Sequence, residues 1–239
     1  LNLSISSVNK DVVFENNLSN NLPNDIYLNN IKNTNLMLNL DANGGTKIAL
    51  KGGIDFDKSG LILNINKSNL GGIVEIAGNL GTSDSKIINN FNLYGGTLSF
   101  VDDNISEIYI KNLNLYNNTV LNIDIDVKNS VSDRFIIPEK VILPLNKLLL
   151  SIDELNMLSF FDNIEDSTAV RLINTNQLTS KYFGFTGTDN DVAKYNYSGV
   201  DYFFILATEG YLVVSRDVPD YYLHPLVCAI KNMVSNTYT

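Results

Sequence analysis

The feature that most constrains this chain is a near period-two alternation of aliphatic and polar residues, in runs only a few residues long. Leu1-Asn2-Leu3-Ser4-Ile5, Leu36-Met37-Leu38-Asn39-Leu40, Leu61-Ile62-Leu63-Asn64-Ile65 and Leu121-Asn122-Ile123-Asp124-Ile125-Asp126-Val127 each present an aliphatic face and a polar one. Successive side chains of a strand point to opposite sides, so each run reads as a short half-buried strand. Between the runs stand Asn16-Asn17, Asn29-Asn30, Asn89-Asn90 and Asn117-Asn118, together with Gly-Gly pairs. Asparagine and glycine accept the left-handed backbone of tight turns, and asparagine supplies 36 of the 239 residues. No window before about residue 128 carries a helical period.

The Gly pairs recur in one phrase. Gly44-Gly45-Thr46-Lys47-Ile48-Ala49-Leu50 is echoed by Gly52-Gly53-Ile54-Asp55-Phe56, Gly71-Gly72-Ile73-Val74-Glu75-Ile76 and Gly95-Gly96-Thr97-Leu98-Ser99-Phe100. The last three start 19 and then 24 residues apart, near the length of one coil of a β-solenoid. A single coil cannot bury its inward face. Coils stacked about 4.8 Å apart bury a continuous aliphatic column, and about six of them over this half would form a rod on the order of 30 Å long. A β-sandwich also uses short alternating strands, but a Gly-Gly pair ahead of each strand is not its signature. The expected fold is all-β, a right-handed parallel β-helix.

The texture changes after about residue 128. Phe135-Ile136-Ile137, Val141-Ile142-Leu143 and Leu148-Leu149-Leu150 are longer apolar runs with Pro138 and Pro144 between them. Aromatics then concentrate: Phe160, Phe161, Tyr182, Phe183, Phe185, Tyr195, Tyr197, Tyr202, Phe203, Phe204 and Tyr211. A solenoid whose last coil is open offers unpaired backbone groups, and a bulky closing module would cover them. From Val218 on, Leu223, Leu226, Val227, Ile230 and Val234 share one face of a helix, with Pro225 suited to its first turn. The expected organisation is solenoid coils over 1–130, a β-hairpin cap over 131–217, and a short amphipathic helix or linker over 218–239.

Charge limits the partners. Seventeen basic against 26 acidic residues leave a net charge of −9, and only Arg134, Arg171 and Arg216 carry guanidinium groups. That balance repels phosphate backbones and predicts no nucleic-acid partner. The single Cys228 rules out an internal disulfide framework. No apolar run is long enough to span a bilayer as a helix. The chain opens at Leu1 without a charged-then-apolar leader, and the expectation is a piece of a longer precursor. Six Asn-x-Ser/Thr triplets, at Asn2, Asn17, Asn66, Asn104, Asn117 and Asn196, are about what chance supplies at this Asn content, so glycosylation is not indicated.

Candidate chemistry is sparse. His224, the sole histidine, has Cys228 four residues on, one helix turn away, but no further ligand or triad partner is evident. Asp124 and Asp126 project to one side of a strand with Asp133 nearby, and Asp102-Asp103 and Asp189 with Asp191 form other pairs. Solenoid polysaccharide lyases and hydrolases use clustered acids in a groove. Alternating acids also mark a solvated strand face, and that reading is preferred. The Gly pairs precede strands rather than helices, so no phosphate-binding loop is indicated, and the calcium-loop spacing is missing. The expectation is no catalytic residue, no cofactor and no metal.

The order of motifs resembles the C-terminal part of autotransporter passenger domains of the pertactin-like group. Asn92-Leu93-Tyr94-Gly95-Gly96-Thr97-Leu98-Ser99-Phe100 resembles that family's strand, glycine-glycine, strand coil. Thr119 to Val127, then Ser132-Asp133-Arg134-Phe135-Ile136-Ile137, resembles its alternating strand and the apolar strand after it. Ala169-Val170-Arg171-Leu172-Ile173-Asn174 is similar to the family's apolar strand ahead of a polar loop. Val200-Asp201-Tyr202-Phe203-Phe204-Ile205-Leu206 with Gly210-Tyr211-Leu212-Val213-Val214-Ser215 is similar to its closing hairpin. The likeness runs from about residue 90 to 217 and departs in using Asn-rich rather than Thr-Gly-rich coils. It implies a non-catalytic stem with an autochaperone cap. The same precursor would carry an outer-membrane β-barrel translocator, and the passenger would be displayed at the bacterial surface or released. It leaves open a host-surface receptor or self-association, and adhesion or virulence carried elsewhere on the passenger. The alternative reading is a solenoid carbohydrate-active enzyme or a phage-spike-like carbohydrate-binding module.

Overall fold

The computed structural model describes residues 2–216, apart from 16, 20–21, 29–35, 58–59, 82–85, 138–144, 163–166, 176 and 190. Pro138, Val141 to Pro144, the tail helix expected over 218–239, and with it His224 and Cys228, lie outside the described residues. The chain is all-β with mostly parallel sheets, and among the described residues its only helical pieces are two three-residue turns, Ile152–Glu154 and Thr179–Lys181.

Two long parallel ladders carry the fold. The first stacks Asn2–Ser7, Leu36–Ala42, Leu61–Ile65, Ile88–Leu93, Glu107–Leu115 and Arg134–Ile136 in chain order. The second stacks Val12–Phe14, Lys47–Leu50, Ile73–Ile76, Thr97–Ser99, Thr119–Asn122, Leu148–Leu150 and Phe183–Phe185. Shorter parallel pieces follow the second ladder: Ile26–Leu28, Gly53–Phe56 and Asn79–Leu80, then Asp124–Asp126 with Asn156–Ser159. The chain thus visits the first ladder, the second and a third piece in a repeating order. Each return adds a rung beside the previous one.

Register explains the core. Leu36, Leu61, Ile88 and Ile110 are successive partners in the first ladder, as are Leu38, Leu63, Phe91 and Leu113, and then Leu40, Ile65, Leu93 and Leu115. In the second ladder Ile48, Val74, Leu98, Leu121, Leu150 and Phe185 form one column, and every member is buried. A parallel pair places like positions side by side, so an alternation repeated in each coil becomes a set of aliphatic columns.

The turns between the two ladders are where the Gly pairs act. Gly44-Gly45, Gly71-Gly72 and Gly95-Gly96 each precede a second-ladder strand, at steps of 27 and 24 residues. Gly52-Gly53 opens a third-piece strand instead, so the 19-residue step read between Gly52 and Gly71 joins two different faces. A Cβ on Gly72 would lie 2.4 Å from the Ala42 carbonyl, and one on Gly96 would lie 2.4 Å from the Asn66 amide nitrogen. Asn66 is fully buried at this corner with φ of 54°. Its Oδ1 accepts from the Ala42 N–H at 3.0 Å, while its Nδ2 donates to the Gly72 and Gly95 carbonyls at 2.9 and 3.1 Å. One amide therefore ties three consecutive rungs.

The parallel ladders do not end near residue 130. Arg134–Ile136, Leu148–Leu150 and Phe183–Phe185 continue them, so the change in sequence texture near 128 is not a change in pairing. The antiparallel sheet comes after: Thr168–Arg171, Tyr211–Ser215, Val200–Leu206 and Val192–Tyr197. Its hairpin turn meets the last rung. Ile173 bridges Phe135 in parallel, and the Leu172 N–H donates to the Gly210 carbonyl at 2.8 Å. Phe160, in the loop after Asn156–Ser159, packs edge-on to Tyr202 at 4.8 Å and lies 4.3 Å from Tyr197, joining the stack to this sheet. Among the described residues no helix is long and apolar enough to cross a membrane.

Candidate functional site

Of the acids singled out in the sequence, Asp102, Asp103, Asp124 and Asp133 come together, but as structural acceptors. Asp124 is fully buried rather than on a solvated strand face, which corrects the preferred sequence reading. Its Oδ2 accepts from the Asp102 N–H at 2.8 Å, and its Oδ1 accepts from the Asn156 side-chain amide. Asp133 is buried as well, with Oδ1 accepting from the Ser106 N–H at 2.7 Å and Oδ2 from the Asp124 N–H at 2.9 Å. Asp102 accepts from the Gly78 N–H at 2.6 Å, and Asp103 accepts from the Asn156 amide at 2.9 Å. Asp102, Asp124 and Asp133 each satisfy a backbone donor, and Asp103 takes a side-chain amide. A buried N–H without a partner costs about 1–3 kcal/mol, which gives these acids a structural reason to sit here.

Their electrostatics follow from that placement. Burial pushes the Asp133 carboxyl up to about 7, against the two backbone donors that favour the ion, and neighbouring Asp124 and Asp102 add repulsion. Burial likewise raises Asp124, opposed by the Asp102 N–H and the Asn156 amide. Asp126 goes the other way. Its burial is outweighed by hydrogen bonds from Ser159 and Asn129, and its carboxyl falls below the ordinary range. Asp189 is exposed in a loop and Asp191 is half-buried beside it. Among the described residues no three His, Cys, Asp or Glu side chains converge as they would around a metal ion.

Two features escaped the sequence reading. The first is an asparagine ladder on the outer side of the first parallel ladder. Asn39 donates to Asn2 at 2.8 Å, Asn64 to Asn39 at 2.7 Å, Asn92 to Asn64 at 2.7 Å and Asn114 to Asn92 at 2.8 Å. Such amide ladders form when identical residues stack in register at the strand spacing. The signal was present in the Leu-Asn-Leu and Asn-Leu phrases, but the amides read as turn formers. One corner along, Tyr94 and Tyr116 stack with ring centroids 4.4 Å apart.

The second is a cleft of about 150 Å³ between the last first-ladder rungs and the antiparallel sheet. Arg134 and Arg171 both line it, with Glu107, Ser132 and the exposed apolar Ile105 and Val131. Arg134 is the direct rung partner of Glu107 and gives its Nε to Glu107 Oε1 at 2.9 Å, with Nη2 on the same oxygen. The Arg134 hydrogen bonds hold the Glu107 carboxyl below its ordinary range, against some burial. Arg171 is the cross-strand partner of Tyr211, and its guanidinium lies 5.2 Å from that ring centroid. A separation of 37 residues in sequence hid the fact that two of the three arginines line one cleft. Compared with known proteins, the sequence matches no family model and no curated protein.

Proposed function

We propose that this chain is the C-terminal stem and folding cap of a bacterial autotransporter passenger, a right-handed parallel β-solenoid that holds other passenger modules away from the outer membrane and carries no catalysis itself. The observation that carries this reading is the meeting of the parallel stack with the antiparallel hairpin at Gly210. A last rung left bare offers a row of unpaired backbone groups, and a hairpin seated on it closes that edge. Right-handedness rests on the strong preference of parallel crossovers for that hand. The motif order from about residue 90 to 217 supports the family. The use of Asp124 and Asp133 as backbone acceptors favours a structural role for the acids over a catalytic groove.

In that role the cap would seed folding from the C-terminal end, and a β-barrel translocator would follow in the same precursor. A chain ended at residue 190 keeps every parallel rung and loses the strands from Val192 on. It is expected to fail to refold from urea under conditions where the full chain refolds cooperatively. Equal refolding of the two would overturn the cap role. Reading the gene beyond Thr239 tests the family: a barrel-coding region is expected, and a different downstream module would overturn the autotransporter assignment.

A further inference from the structure

We propose that the cleft between Arg134 and Arg171 is a binding site for a small organic carboxylate, with the carboxyl group of an acidic sugar as the best fit to its size and lining. The site goes beyond the stem reading and does not depend on it. Two guanidinium groups, of Arg134 and Arg171, line the cleft with one carboxylate, Glu107, in a chain whose overall charge is −9. Arg134 is committed to Glu107, whereas among the described residues Arg171 is steadied by the Tyr211 ring. Among the described residues no carboxylate reaches Arg171, and its Nε finds no hydrogen-bond partner. A guanidinium is planar, always charged and matched to carboxylate geometry, so an uncompensated one beside a paired one is an anion site in waiting.

The rest of the lining argues for an organic anion rather than a bare inorganic one. Ile105 and Val131 are 37% and 42% exposed at the rim and offer an apolar ledge for carbon atoms. Ser130 and Ser132 complete the lining, with the Ser130 hydroxyl on Thr168 and the Ser132 hydroxyl on the Asp133 and Arg171 carbonyls. A volume of about 150 Å³ holds about five waters, room for a carboxylate and the ring or short chain that bears it. The walls come from both regions of the molecule. Glu107 and Arg134 stand on the parallel ladder, and Arg171 stands on the antiparallel sheet. A bound anion would therefore bridge stack and cap.

The test is an NMR titration of the arginine Nε–H resonances of the full chain with D-glucuronate, acetate, sulfate and D-glucose. Glucuronate is expected to give saturable shifts with a dissociation constant on the order of 1 mM, D-glucose none, and acetate weaker shifts at the same arginines. Arg171→Gln should weaken glucuronate at least about tenfold, a loss of about 1.4 kcal/mol. Val131→Trp, at a position 42% exposed on the rim, should fill the cleft mouth and abolish binding, and it serves as the readout if the arginine variant misfolds. Glu107→Gln should tighten binding several-fold by releasing Arg134 to the ligand. The proposal is overturned if neither carboxylate saturates by about ten times that concentration. It is also overturned if sulfate binds as tightly as glucuronate, or if Val131→Trp leaves binding unchanged.

Discussion

The two ends of this molecule are stabilised by opposite strategies. In the parallel ladders every rung repeats its neighbour, so Ile48, Val74, Leu98, Leu121 and Leu150 do the same job one above another. Asn39, Asn64, Asn92 and Asn114 likewise repeat one hydrogen bond along the outside. In the antiparallel sheet nothing repeats. Phe160 meets Tyr202 and Tyr197 once, Arg171 meets Tyr211 once, and Gly210 meets Ile173 once. Repetition spreads the energy over many similar contacts, and closure concentrates it in a few dissimilar ones.

The largest expected effect lies at the point of closure. A Cβ on Gly210, which has φ of +80°, would fall 1.8 Å from the Ile173 carbonyl oxygen, so Gly210→Val cannot keep the hairpin seated on the last rung. Gly187 has a similar φ of +75° with nothing within 4 Å of its would-be Cβ, so Gly187→Ala carries only the backbone strain of about 1–2 kcal/mol. Urea unfolding followed by tyrosine fluorescence should show Gly210→Val losing more than about 4 kcal/mol or failing to fold. Equal midpoints for the two variants would refute the idea that closure is concentrated there.

The next effect tests the columns. Phe91 is fully buried between Leu63 and Leu113 and lies edge-on to Phe135 at 6.5 Å. Phe91→Ala should cost about 3–5 kcal/mol through lost contact and the cavity left behind. The cavity is flanked by rungs on both sides that stay paired, so the loss should come with an unchanged denaturant slope. A drop in slope would mean that the stack parts at that rung and behaves as two units.

How much of this was open to view in the sequence follows the same division. The alternation named the ladder strands and their inward residues, because Leu38, Leu63 and Leu98 announce their side locally. The Gly pairs marked the corners, although Gly52-Gly53 was counted with the wrong face, since a turn before one strand looks like a turn before another. The hairpin from Val200 to Ser215 was read from its likeness to a family's closing hairpin, not from periodicity. What it closes was not, because the Gly210–Ile173 approach depends on where two distant segments meet. The asparagine ladder and the Arg134–Arg171 cleft failed for that reason too. Each is a relation between successive rungs, and stretches of unequal length between the rungs hide their register. Asp124 misled by periodicity: it alternates as a surface residue does, yet past the strand break at Ile123 it is buried against the Asp102 N–H and the Asn156 side-chain amide.

A smaller effect measures the outer ladder against the inner columns. Asn92→Ala removes the acceptor for Asn114 and the donor for Asn64, and both of those amides lie in partly or fully buried surroundings. A buried polar group left unpaired costs about 1–3 kcal/mol, so the thermal midpoint should fall clearly, but less than in Phe91→Ala. Asn39→Ala, nearer the exposed end, should cost less again. If Asn92→Ala is neutral by calorimetry, the ladder is an ornament of register and the aliphatic columns alone hold the rungs together.

The smallest effect per step is also the most diagnostic, because repetition cannot produce it. Asp133 keeps its proton up to about pH 7 in the folded chain, whereas an unfolded aspartate loses it near 4. Between those values the folded state binds the extra proton, so its contribution to stability is whole below about pH 4 and is lost as pH rises through about 7. Within that window the slope should approach about 1.4 kcal/mol per pH unit, and Asp124, also raised, pulls the same way. Glu107 and Asp126, whose carboxyls are lowered, act in the opposite sense: what they contribute is present above the ordinary carboxylate range and is lost as pH falls through it. The chain should therefore unfold at lower urea at pH 7.5 than at pH 5.5. Asp133→Asn should flatten that difference while starting from a lower plateau, since an amide can accept only one of the Ser106 and Asp124 N–H bonds. A variant that keeps the full pH slope would place the proton elsewhere and leave the coil junction at Asp133 no different, electrostatically, from the junctions above it.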